Sequence, residues 1–66
     1  MQDGGLSQKE RRLLALLEDG PTDAHAAGMR CGQRAHRARQ WAEQGLRSLA
    51  ARGYVQREGN VWRLRS

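Results

Sequence analysis

Arg30, Arg34, Arg37 and Arg39, with His36 among them, fall in a stretch that contains no carboxylate between Asp23 and Glu43. Four arginines and no acid give this stretch a local charge of +4, suited to an anion from outside the chain. Amides are interleaved with the cations. Gln33, His36, Arg37, Gln40 and Gln44 recur at helical spacing on one side of the segment. Arginine pairs with guanine and glutamine with adenine in the major groove, so this face has the chemistry to read base edges. An ordinary solvated helix face can have the same composition. Arg30, Arg34, Arg39 and Arg47 lie around it, where cations would hold phosphates. Further on, Arg57, Asn60 and Arg63 flank a glycine turn, with Arg65 just beyond. An arginine beside such a turn can grip a phosphate or enter a minor groove, or merely decorate an edge strand.

The whole chain repeats this bias. Twelve Lys+Arg against seven Asp+Glu leave +5 on 66 residues, a balance that suits a polyanion, since each phosphate contact releases condensed counterions. Eleven of the cations are arginine. GC-rich codon usage would explain arginine over lysine but not the excess over acids. The length allows one domain with a thin core, burying about 60% of its unfolded surface, and leaves no mass for an elaborate catalytic cleft.

Other chemistry finds little support. No nucleophile, base and orienting group stand together, and no glycine loop is built to cradle phosphate; Ser7 is accounted for by capping and Ser48 has no adjacent base. The chain is not expected to be an enzyme. His25, Cys31 and His36 lack a fourth ligand and finger-like spacing, so no metal or other cofactor is expected. Cys31, the single cysteine, reads as a small buried hydrophobe and cannot form an internal disulfide. With no signal-peptide pattern and no apolar run of membrane length, a cytoplasmic protein with no membrane partner is expected.

The elements that must position these residues follow from periodicity and caps. Residues 1–5 read as a flexible tail and 6–66 as the domain. A first helix is expected over 7–18, opened by the Ser7–Glu10 capping box, carrying the stripe Leu13, Leu14 and Leu17, and closed by Gly20-Pro21. Thr22 or Asp23 caps a second helix bearing Ala24, Ala27 and Cys31 on one side and Met29 beside it. Gly28 and Gly32 weaken this helix, and its end falls at Gly32 or as late as His36. The third helix, 33–52, has the clearest period, with Ala35, Ala38, Ala42, Leu46 and Leu49 in one arc at about 100° per residue. Arg34 and Trp41 border that arc on one flank and Arg39 on the other; Trp41 is open to core packing or base stacking. Gly45 faces the arc, where it lets another helix come close. After Gly53, strands 54–57 and 61–64 pair around Glu58-Gly59-Asn60, with Trp62 and Leu64 closing the core.

From Trp41 to Leu64 the run WAEQGLRSLAARGYVQREGNVWRL resembles a winged helix-turn-helix module of the small bacterial repressor kind. The matching features are a leucine-spaced helix with Leu46 and Leu49, a terminal Gly53, apolar Tyr54 and Val55, a polar wing over 57–60, and Trp62 with Leu64 on the return strand. The first helix fits as well, extending the likeness from Leu6 to Leu64. The resemblance implies a mainly α fold, three helices and a C-terminal β-hairpin, that binds double-stranded DNA as a small transcriptional regulator associated with the nucleoid. Helix three would enter the major groove, Arg30, Arg34, Arg39 and Arg47 would hold phosphates, and the wing residues Arg57, Asn60 and Arg63 would lie along the adjacent backbone. Winged helices also serve as protein-interaction modules and RNA binders, so a protein partner or RNA are the alternatives. A homodimer would use helix one, the tail or the hairpin edge. Binders of Z-form duplexes carry an Asn and a Tyr where this chain has Glu43 and Arg47, and metal-sensing repressors need ligand clusters that a single cysteine does not supply.

Overall fold

The computed structural model describes residues 5–65. Its elements run α1 (Gln8–Glu18), β1 (Thr22–Asp23), α2 (Ala24–Arg30), α3 (Ala35–Ala51), β2 (Val55–Glu58) and β3 (Val61–Leu64). This is the layout of a winged helix-turn-helix, mainly helical with a C-terminal antiparallel hairpin. The tail expected over 1–5 lies outside the described residues except for Gly5.

Capping sets most of the boundaries. Ser7 caps α1: its Oγ accepts from the Glu10 N–H at 3.1 Å, and the Glu10 carboxylate accepts from the Ser7 N–H at 2.8 Å. Asp23 caps α2 through the Ala26 N–H. That helix ends in a Schellman motif, with Gly32 N–H donating to Met29 O and Gln33 N–H to Gly28 O, both at 3.0 Å. Gly32 takes φ +90°, a conformation that penalises any Cβ. Arg34, two residues past Gly32, is extended at φ −71° and ψ 149° and serves as the N-cap, so α3 begins at Ala35 rather than 33. Gln33 therefore sits in the turn, and Ala35, expected in the core, is exposed on the first turn. Cys31 is the C-cap of α2 and only half-buried. The same motif closes α3, with Gly53 and Tyr54 donating to Ala50 and Leu49.

The core forms where the three helices meet the sheet. Leu13 and Leu17 of α1, Ala24 and Ala27 of α2, Ala42, Leu46 and Leu49 of α3, Val55 and Trp62 make one buried cluster. Two glycines bring the helices together. At Gly28 a Cβ would overlap the backbone of Ala38, so α2 and α3 cross backbone to backbone there. At Gly45 it would meet Leu13 Cδ1 at 2.5 Å, which identifies α1 as the helix that approaches.

Where a hairpin alone was expected, the sheet has three strands in the order β1-β3-β2. Thr22 pairs with Trp62 and Asp23 with Val61. The turn is Gly59-Asn60, one residue shorter than expected, because Glu58 pairs with Val61 inside the ladder. Within this turn Gly59 has positive φ and Asn60 does not, as a type II′ turn requires. Tyr54 precedes β2 rather than belonging to it.

A buried carboxylate joins α1 to α3. Ser48 Oγ donates to Glu10 Oε2 at 2.6 Å, so the capping glutamate is held from both sides. The Ser48 hydroxyl and then the Ser7 amide hold the Glu10 pKa below its ordinary 4.5, against the opposing effect of burial. The ionised form is thus the one the fold favours. Its contribution is complete above the unfolded-state pKa and is lost as pH falls through the lower folded-state value. Ser48→Ala is expected to cost about 1.5–3 kcal/mol at neutral pH, as for a hydrogen bond to a charged group. The gap from the parent should narrow as pH drops below the ordinary glutamate value. Urea melts of both proteins across that range check this; a gap independent of pH would mean Glu10 is not the acceptor that matters.

Candidate nucleic-acid interface

Between α3 and the hairpin runs an open groove, lined by Arg39, Glu43 and Arg47 from α3, Arg57 and Asn60 from the hairpin, and Asp23 and His25 from the start of α2. Ala24 and the buried Trp62 also line it. Arg39, Glu43 and Arg47 follow one another at one-turn spacing, so their side chains stack along the wing-facing edge of α3. Their phase is set by the opposite face, where Ala38, Ala42, Gly45, Leu46 and Leu49 are buried.

The residues expected to read bases are not all in one place. His36, Arg37, Gln40 and Gln44 are exposed along α3, as their period requires. Arg37, Gln40 and Gln44, with Trp41, line a separate shallow hollow on the side of α3 away from the wing. Gln33 is off the helix. Trp41 faces α1, where Lys9 Nζ sits 4.6 Å from its ring centre. That ammonium, its pKa lowered chiefly by burial, covers one face of the ring.

The expected phosphate holders divide as well. Among the described residues, no carboxylate lies within ion-pair distance of Arg34, Arg37, Arg39 or Arg47. Arg30 instead pairs with Asp19 at 3.4 Å, so part of its charge is answered at the end of α1. Arg34 is the N-cap residue of α3 but makes no side-chain capping bond, and the first turn of that helix has no acid.

Strand alternation splits the wing. The ladder sets Arg57 opposite Trp62 and Val55 opposite Leu64, so these four share the core-side face of the hairpin. Arg57 reaches over Trp62, its guanidinium carbon 5.8 Å from the ring centre, while its Nε donates to Gly59 O at 2.7 Å. This fixes the head at the lip of the groove. Arg63 lies on the outer face and pairs with Glu58 at 3.2 Å, and Gln56 donates to the same carboxylate. Arg63 is therefore paired and turned away from the groove that Arg57 and Asn60 line.

Sequence reasoning passed over Glu43 and His25 as groove residues. The signal for Glu43 was its spacing, one turn from Arg39 and one from Arg47. His25 had none, because its place beside the wing depends on the pairing of β1 with β3. Among the described residues there is no cluster of three or more His, Cys, Asp or Glu able to hold a metal, and no helix long and apolar enough to cross a membrane. Comparison with protein-family models, with curated proteins and with solved structures returns no match, so the reading of this surface rests on its own geometry and charge.

Proposed function

We propose that this domain binds double-stranded DNA and acts in transcriptional regulation, at the nucleoid. In this reading α3 lies in the major groove and the hairpin tip on the neighbouring backbone. The observation that carries it is the convergence of Arg39, Arg47 and Arg57 on one open groove, the first two without an ion-pair partner among the described residues. Unanswered cations held by a helix and a wing suit a rod of phosphates better than a protein surface, which supplies few carboxylates at regular spacing. His36 and Gln40, exposed along the outer face of α3, are the polar groups offered to base edges, while Arg57 and Asn60 serve the backbone.

Salt tests this reading. With about four to six cations near phosphates, the slope of log K against log salt on a random duplex should be about −4 to −5. The same titration with a single strand or a structured RNA tells duplex DNA from the RNA alternative. Binding to the duplex that is unchanged between low and physiological salt would remove DNA as the partner and leave a protein-interaction module.

A further inference from the structure

Glu43 is out of place in a phosphate-binding groove. It stands between Arg39 and Arg47 along the edge of α3, one turn from each, a spacing at which a glutamate ordinarily pairs with arginine. Yet among the described residues its carboxylate has no ion pair and no hydrogen bond. It is half-buried at the groove wall, between two cations and opposite Arg57. The other carboxylate of the groove, Asp23, is occupied by the α2 cap. Glu43 thus presents a free acceptor beside Arg39, Arg47 and Arg57, three cations that invite an anion.

We infer that Glu43 is the specificity-determining residue of this groove and selects a C·G base pair; the inference rests on the DNA reading above. A carboxylate cannot face a phosphate, because like charges repel, and when ionised it only accepts hydrogen bonds. The duplex groups that can answer it in the major groove are the exocyclic amines, cytosine N4 and adenine N6. Adenine places its N7 acceptor beside that amine, against the second carboxylate oxygen. Cytosine has a C–H in the corresponding place. Cytosine is therefore the base that satisfies Glu43 without a new repulsion. With Arg39 and Arg47 positioned to meet the anionic backbone or neighbouring guanines, Glu43 makes affinity depend on sequence.

The test is a competition assay at fixed salt on a selected duplex and its single-pair variants, with the parent, Glu43→Gln and Glu43→Ala. The parent should favour cytosine at one position by about ten- to a hundredfold. Glu43→Gln should move the preference at that position to adenine, since a glutamine amide matches the adenine donor and acceptor. Glu43→Ala should flatten it and bind non-cognate duplexes more tightly, having lost a negative charge from the groove. Glu43→Gln keeps the side-chain shape, and matched thermal melts show that both variants are folded. A Glu43→Ala profile superimposable on the parent's overturns the inference. So does a parent that binds duplexes with a steep salt slope but no base preference, which leaves DNA binding intact. A parent that does not bind duplex at all overturns both readings.

Discussion

Gly28→Ala should lower the melting temperature by about 10 °C or more, although alanine is the better helix former by about 1 kcal/mol. The position lies inside α2, and on an exposed helix the substitution would stabilise. Here the added Cβ would fall on Cα, C and O of Ala38, which are backbone atoms of α3 and have no rotamer to escape into. The two helices would have to separate, loosening Ala24 and Ala27 against α3. Overpacking costs about 1–3 kcal/mol when side chains can adjust, and more when they cannot. A domain of this length has only roughly 3–10 kcal/mol to lose. Far-UV circular dichroism melts of the two proteins decide the matter; a variant melting at or above the parent would place the helix crossing elsewhere.

Leu49→Ala should cost about 2–5 kcal/mol, enough to unfold much of the population at room temperature. Leu49 is fully buried in the core cluster, and its carbonyl also accepts the Tyr54 N–H that closes α3. Truncation leaves a void under the point where helix turns into sheet. The midpoint of urea unfolding should fall while the slope stays near the parent's, because the surface exposed on unfolding is nearly the same. A midpoint within error of the parent's would put Leu49 outside the core.

Local rules made much of this molecule legible. The Ser7–Glu10 box, the Asp23 cap, the glycine stops and the period of Ala38, Ala42, Leu46 and Leu49 all depend on neighbours within a turn or two, and all are present. What escaped depends on partners far along the chain. Ser48 looked idle because its acceptor, Glu10, lies 38 residues away. Gly28 read as a weak point in a helix because nothing local announces the approach of Ala38. Thr22 and Asp23 read as a cap, and a strand of two residues has no period to detect. Arg57 and Arg63 looked equivalent until the register placed them on opposite faces of the hairpin. The split among the candidate site residues has the same origin: helical phase predicts which of them are exposed, but only the position of the wing decides which exposed residues share a groove.

Thr22 and Asp23 belong at once to the sheet and to the start of α2. Through them the hairpin is tied back to the helical body, since β3, the strand they pair with, is also the partner of β2. A wing anchored only at its base can swing, and whatever it grips must then pay to stop it. Here that loss of freedom is already incurred on folding, so a guest entering between α3 and the wing meets walls set at their final spacing and forfeits less affinity to ordering them. Fixed walls also act as a gauge, because a guest too wide for them is refused by strain in the sheet whatever charge it carries.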